Sequence, residues 1–117
     1  MFVYFIQCGH DKKPPVKVGV ARNIERRLKA LQTGNPYELK VLCFIKCANS
    51  LEAYNLESFI HSELKNRKVR GEWFATCMRR INKIVNKWYT NKEIIFDGYS
   101  DKIEEELDRQ VMFNPSI

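Results

Sequence analysis

The strongest constraint on the fold is a pair of apolar segments at the start of the chain, joined by a short turn. Residues 2–8 are rich in aromatic and β-branched side chains, which favours a β-strand. Glycine and proline within 9–15 favour a turn, and valines then alternate with Lys17 and Gly19 over residues 16–20. We therefore predict an antiparallel hairpin with the valines on one face. Lys17 and Gly19 fall on the other face, where the missing side chain of Gly19 leaves room beside Lys17.

Hydrophobic periodicity predicts the elements that follow the hairpin. They are helices over about 24–32, 50–66 and 76–89, and a third strand over 39–47 that is covered on both faces. Asn23 is a suitable N-cap for the first helix, and Asn49 or Ser50 for the second. This order predicts an α/β (α+β) domain with a small three-stranded, mostly antiparallel sheet flanked by helices. One further strand is left open between the second and third helices.

The formal charge of the 117-residue chain is divided between two parts of the sequence. Up to residue 92 there are 18 basic and 7 acidic residues, which gives +11, whereas residues 93–117 carry 2 basic and 7 acidic residues, which gives −5. We therefore divide the chain into a domain over 1–92 and an acidic segment over 93–117, which is predicted to form an amphipathic helix. A basic body favours a polyanion partner, although a merely soluble basic surface has the same charge. The acidic helix is expected to pack on the basic surface or to mediate a dimer.

Apolar runs and cysteine spacing argue against several other classes of protein. No apolar run approaches the roughly 20 residues of a membrane span, and no basic segment precedes the first strand as in a signal peptide. Cys8, Cys43, Cys47 and Cys77 include no Cys-x-x-Cys pair, so they are predicted to be reduced core thiols of a cytoplasmic protein. A zinc site from the first three with His10 is conceivable, but this spacing fits no common zinc motif.

Three polar residues stand where the periodicity predicts burial. Arg27 is expected to be partly buried at the edge of the apolar stripe of the first helix, either covering apolar surface or binding a phosphate. Glu57 lies within the inward face of the second helix, with His61 one turn later, and an unpaired buried carboxylate is costly. Glu57 is therefore expected to line a cleft and bind a cation, or to pair with a basic side chain for structure alone. Tyr4 lies in the apolar first strand, and it is expected either to belong to a functional site or to be an ordinary core tyrosine.

Together these positions resemble the motifs of the GIY-YIG endonuclease superfamily. Phe2-Val3-Tyr4 is similar to the Gly-Ile-Tyr motif, and Lys17-Val18-Gly19 to the Tyr-Ile-Gly motif, with Phe2 and Lys17 in place of the first glycine and the second tyrosine. Arg27 and Glu57 match the essential arginine and the metal-binding glutamate of the family. Three further stretches resemble its branch in phage and other microbial proteins, namely Leu31-Gln-Thr-Gly-Asn-Pro36, Ile60-His61 and Gly71-Glu72-Trp73-Phe74.

The resemblance implies a metal-dependent endonuclease that hydrolyses phosphodiester bonds in DNA by a single-metal mechanism. Glu57 would hold one Mg²⁺ (or Mn²⁺) ion, and Arg27 would stabilise the transition state at the phosphate. Tyr4 would act as general base or water positioner. Lys17 would orient water, stabilise charge on the phosphate or help Tyr4 to ionise. His61 would donate or relay a proton, or orient Tyr4 or a metal-bound water.

Neighbouring residues receive supporting and binding roles. Gly19, Glu72 and Trp73 are expected to support the site, Glu72 by bracing the sheet against Arg27 or Lys17. The basic residues expected to contact the phosphate backbone are Arg22, Arg26, Lys29, Lys68 and Arg70. DNA is the expected partner, with RNA as the alternative, no membrane partner, and a homodimer as a further option. The alternative functions are a non-catalytic nucleic-acid-binding module that keeps the nuclease fold, and a phage factor that binds protein.

Overall fold

The predicted hairpin forms the centre of the sheet in a computed structural model that describes residues 1–91. Its strands are β1 (Phe2–Cys8), β2 (Val16–Ala21), β3 (Leu39–Lys46), β4 (Lys68–Arg70) and β5 (Trp73–Phe74), and its helices are α1 (Ile24–Gln32), α2 (Ser50–Glu63) and α3 (Met78–Asn91). The five strands pair antiparallel in the order β3-β1-β2-β5-β4. The boundary at residue 92 and the acidic helix expected beyond it lie outside the described residues.

The sheet has five strands rather than the predicted three. The two additional strands, β4 and β5, form a hairpin whose turn contains Gly71 in the left-handed region at φ +54°. β5 has two residues, which pair with Val16 and Lys17 of β2. Strands of two or three residues are too short to show the alternation of apolar and polar residues that identifies a β-strand. From its composition alone, the basic stretch before Gly71 is therefore expected to be a turn.

Apolar side chains on the two faces of the sheet form two separate cores. One side, here called the α2 face, packs β-strand residues such as Phe5 and Val18 against α2 and α3. The other side, the α1 face, holds Tyr4, Ile6 and Val41 against partly buried residues of α1. Alternate residues of β3 enter each core, as its continuous apolar run predicts.

Side-chain caps fix the starts of α1 and α2 as the sequence predicts. Asn23 Oδ1 accepts a hydrogen bond from the Arg26 backbone N–H at 2.9 Å, and Asn49 Oδ1 accepts one from Glu52 N–H at 2.9 Å. α2 ends at Glu63, before the predicted end near residue 66, because the chain tightens into a 3₁₀ turn over Lys65–Arg67. The caps set where α2 begins along the sheet, and thus where its polar residues lie.

The cysteines are free thiols distributed over both cores. Cys43 and Cys47 are buried on the α2 face, Cys8 lies against the α1 face, and Cys77 is exposed rather than in a core. The conceivable zinc site is not formed, because the sheet separates these thiols, and residues 1–91 contain no group of three or more His, Cys, Asp or Glu arranged to hold a metal ion. None of the helices in the same residues has the length and apolar character needed to cross a membrane.

Candidate functional site

Tyr4 lies on the α1 face directly opposite Gly19 in the β1–β2 register. A Cβ at Gly19 would lie 2.5 Å from Cζ of Tyr4, so the phenol ring occupies the space that any other residue at position 19 would fill. Gly19 therefore makes room for Tyr4, whereas the strand pattern predicts room for Lys17. Tyr4 is 2% exposed, and its hydroxyl forms no hydrogen bond within residues 1–91.

Lys17 is held between Glu72 and Trp73 on the same face of the sheet. Its Nζ lies 2.8 Å from Glu72 Oε2 and 5.8 Å from the centroid of the Trp73 ring, and its side chain is 14% exposed. Trp73 stands opposite Lys17 in the β2–β5 register, which explains the contact with its ring. Of the two partners expected for Glu72, the structure shows Lys17. The ion pair joins the loop before β5 to the central hairpin.

α2 reaches this region at the edge of β2 that the short strand β5 leaves free. Beyond the two residues paired with β5, the Val18 carbonyl accepts a hydrogen bond from His61 Nε2 at 2.9 Å. The His61 ring also packs 5.1 Å from the ring of Phe74. His61 therefore anchors α2 to β2, and Glu57, one helical turn earlier, is carried to the same edge.

The electrostatics of Tyr4 and Glu57 show that residues from four elements act on one another. Burial raises the pKa of the Tyr4 phenol to about 12, with Arg27 lowering it and Glu72 and Glu57 raising it. Burial also raises the pKa of the Glu57 carboxyl, which His61 and Lys17 lower and Glu72 raises. Arg27 is the cation that lowers the pKa of Tyr4, and Lys17 lowers that of Glu57.

Arg27 is exposed, whereas the helical phase predicts partial burial. α1 has nine residues and none of them is buried, because the helix covers only the margin of the second core. Arg27 is therefore accessible to solvent while its charge still acts on Tyr4. This position suits a group that binds a ligand better than one that covers apolar surface.

We call Tyr4, Lys17, Arg27, Glu57, His61 and Glu72 the cluster; three of its groups have no side-chain partner among residues 1–91. The Tyr4 hydroxyl, the Arg27 guanidinium and the Glu57 carboxylate form no side-chain hydrogen bond or ion pair within the described residues. A phenol, a guanidinium and a carboxylate that act on one another yet remain unpaired can bind an anion, a cation and a water molecule at the same place. Lys17, Glu72 and His61, by contrast, are occupied in holding the surrounding elements together.

A family model described as the T5orf172 domain matches residues 1–89, which extend from β1 through most of α3. The chain belongs to the T5orf172 domain family. This is a phage-associated domain. No curated protein and no solved structure matches the chain.

Basic side chains are displayed around the T5orf172 domain at the predicted positions. Those expected to contact a phosphate backbone are all exposed, namely Arg22, Arg26, Lys29, Lys68 and Arg70. Lys68 and Arg70 lie on β4, the strand at the sheet edge beyond β5, while Arg26 and Lys29 lie on α1. Basic groups therefore flank the cluster on two sides. The sequence analysis assigned no role to Gln32 or Tyr37, which lie at the border of the α1 face. The signal in the sequence was an aromatic residue directly after a Gly-Asn-Pro turn, and the structure shows that Tyr37 is exposed.

Because Tyr4 is buried, the T5orf172 domain should become less stable at alkaline pH. The unfolded phenol ionises near pH 10 and the folded one near 12, so unfolding releases a proton in that interval and becomes more favourable as the pH rises. Between about pH 9 and pH 11 we expect wild type to lose about 1 kcal/mol of unfolding free energy more than Tyr4→Phe does. Urea titrations of both proteins measure this difference. Equal losses of unfolding free energy in the two proteins would show that folding does not raise the pKa of Tyr4.

Glu72 is expected to stabilise the T5orf172 domain through Lys17. Glu72→Gln leaves a largely buried ammonium without its carboxylate, so we expect a loss of about 1–2 kcal/mol of unfolding free energy. Glu63→Gln is the matched control, since it removes the more exposed pair with Lys87 at 2.7 Å and should cost less than about 1 kcal/mol. Denaturant unfolding measures both. A larger loss for Glu63→Gln would contradict the structural role of the Lys17–Glu72 pair.

Proposed function

We propose that this T5orf172 domain is a metal-dependent endonuclease that hydrolyses phosphodiester bonds in DNA by a GIY-YIG-type, single-metal mechanism. The observation that carries the proposal is the group of unpartnered polar side chains, Tyr4, Arg27 and Glu57, whose charges act on one another. Exposed basic residues on α1 and β4 support a polyanionic substrate. The motif resemblance, on the same three residues, supports the reaction type.

A magnesium ion fits the donor set that the chain offers. Glu57 is a single unpartnered carboxylate, and desolvation and Glu72 raise its pKa, so a nearby cation would stabilise its charge. Mg²⁺ is commonly held by one or two carboxylates, substrate phosphates and several waters rather than by a complete protein cage. Glu57 would therefore hold the ion. When bound, Mg²⁺ neutralises charge that develops on the phosphate and its leaving oxygen.

The chain's own residues have separable roles in this proposal. Arg27 is exposed, and its planar guanidinium can donate two parallel hydrogen bonds to phosphate oxygens. Tyr4, with a pKa of about 12, is a neutral phenol at pH 7, so it orients a water or a phosphate oxygen rather than acting as the resting general base. Lys17 contributes positive charge at the floor of the site while paired with Glu72. His61 positions α2, and with it Glu57, through Val18.

A non-catalytic nucleic-acid-binding module is the second candidate. It is favoured by Lys17, which stands where the motif has its second tyrosine and whose ammonium is tied to Glu72 at 2.8 Å. Without that phenol, and with Tyr4 protonated at neutral pH, the site lacks an obvious resting base. Such a module would bind DNA with an affinity that falls steeply as salt rises, and would not cleave it.

Incubation of supercoiled plasmid with the purified chain distinguishes the two functions. The endonuclease produces nicked and linear plasmid with Mg²⁺ or Mn²⁺ and leaves the plasmid intact in EDTA. The binding module shifts the plasmid on a gel at low salt but leaves it supercoiled with either metal. Absence of nicking across varied salt and pH, from protein that still binds DNA, would contradict the proposed endonuclease.

A further inference from the structure

A cleft of about 630 Å³ opens on the α1 side of the molecule beside the cluster. The loop between α1 and β3 forms one wall, with Asn35 and Tyr37, and the β4–β5 hairpin contributes Arg70 and Trp73. Trp73 lines the cleft and also contacts Lys17, whose Nζ lies 5.8 Å from the centroid of the Trp73 ring. Trp73 therefore lies between the cleft and Lys17, which places the cleft next to the candidate site.

The side-chain amides of Gln32 and Asn35 hydrogen-bond to the backbone of the loop that forms this wall. Gln32 Nε2 donates hydrogen bonds to the Tyr37 and Asn35 carbonyls at 2.9 and 3.3 Å, and Gln32 Oε1 accepts one from Leu39 N–H at 2.9 Å. Asn35 Oδ1 accepts another from Tyr37 N–H at 3.0 Å. The Gln-Thr-Gly-Asn-Pro segment therefore builds a fixed wall, although none of its residues belongs to the cluster at Glu57.

The exposed groups of the cleft match the chemistry of an unpaired nucleotide. Tyr37 is 62% exposed, which is unusual for an aromatic ring held on a rigid loop, and Trp73 is only partly buried. Arg70 stands across from Trp73 in the β4–β5 register and forms no ion pair within residues 1–91. Aromatic rings stack on bases and a free guanidinium binds phosphate, the combination used by proteins that bind single strands.

We propose that the cleft binds the base of an unpaired DNA nucleotide adjacent to the phosphate in the active site. The inference rests on the proposed function and specifies its substrate class: DNA that is single-stranded, or locally unpaired, next to the scissile bond. Tyr37 and Trp73 are the surfaces on which the base stacks, and Arg70 contacts its phosphate. A base in a paired duplex cannot enter, because its faces are covered by neighbouring bases.

Binding measured in EDTA tests the cleft independently of cleavage. Fluorescence anisotropy compares a fully paired duplex with the same duplex carrying a short single-stranded gap, and single-stranded DNA with RNA of the same sequence. We expect Tyr37→Ala to weaken binding of the gapped DNA by about 5- to 100-fold and to leave the paired duplex within about twofold. Tyr37→Phe, which keeps the ring, should bind as wild type does. Tyr54→Ala is the matched control, since Tyr54 is 54% exposed on α2 and does not line the cleft.

Each result of this experiment has a defined meaning. Equal weakening of both DNAs by Tyr37→Ala, or no weakening of either, overturns the cleft proposal, as does tighter binding of single-stranded RNA than of DNA of the same sequence. A selective defect in Tyr37→Ala supports the cleft even if wild type never nicks plasmid, in which case only the proposed hydrolysis fails. Nicking of plasmid by wild type and Tyr37→Ala alike, with no selective binding defect, leaves the endonuclease standing and removes the cleft.

Discussion

Glu57→Gln is expected to lower the rate of metal-dependent DNA cleavage by about 1000-fold or more. Losing the metal ligand removes several kcal/mol of charge stabilisation in the transition state, and each change of about 1.4 kcal/mol alters the rate tenfold. The fold should survive the change. Because burial raises the pKa of Glu57, its ionised form opposes folding at neutral pH, and the neutral amide should leave the protein equally or more stable. Single-turnover cleavage and thermal unfolding measure the two effects.

Glu63→Gln provides the matched control for this change. Glu63 lies on the same helix and pairs with Lys87, away from the cluster, so its substitution should leave the cleavage rate within about twofold. DNA affinity in EDTA should be similar in wild type and both variants, because neither position belongs to the exposed basic residues. Glu57→Gln protein that is folded and cleaves at the wild-type rate would show that Glu57 does not bind the metal.

Gly19→Ala is expected to cost about 2–3 kcal/mol of unfolding free energy, a large effect for one methyl group on a strand. The added Cβ would meet Tyr4 at 2.5 Å from Cζ, and Tyr4 is buried between β2 and α1, so ring and backbone must shift together. The backbone of Gly19 is not in the left-handed region, so the cost comes from overlap rather than from conformational strain. Urea-induced unfolding of both proteins measures it.

A double-mutant cycle separates the overlap with Tyr4 from any general effect of alanine at position 19. In a Tyr4→Leu background the side chain no longer extends across the glycine, so Gly19→Ala should cost less than about 1 kcal/mol. If alanine costs the same with tyrosine and with leucine at position 4, the explanation by overlap is wrong. The cycle also tests whether the phenol occupies the position that the candidate site requires.

The central hairpin and the helices could be predicted because each shows its own periodicity over enough residues. Alternating valines defined β2, and the asparagine caps defined where α1 and α2 begin. The β4–β5 hairpin has too few residues for any period, and its position beside β2 depends on contacts between residues far apart in sequence, such as Lys17 with Glu72. The number of strands could therefore not be predicted from the sequence.

For the candidate site, the sequence could nominate residues, but it could not predict how deeply they are buried or what they contact. Helical phase indicates which side of α1 faces the sheet, yet Arg27 is exposed because α1 covers only the margin of the core. The contacts of Lys17 could not be predicted for a related reason, because its partner Glu72 lies 55 positions later in the sequence. The sequence likewise did not indicate that the charge of Arg27 acts on the Tyr4 phenol.

Paramagnetic broadening by Mn²⁺ tests whether residues from β1, β2, α1 and α2 surround one metal ion anchored by Glu57. Substoichiometric Mn²⁺ added to isotopically labelled protein should broaden the amide signals of Tyr4, Gly19 and Glu57 before those of residues in α3. The broadening should disappear in Glu57→Gln and persist in Glu63→Gln. Broadening that is centred elsewhere, or that is unchanged in Glu57→Gln, would show that Glu57 does not anchor the metal ion.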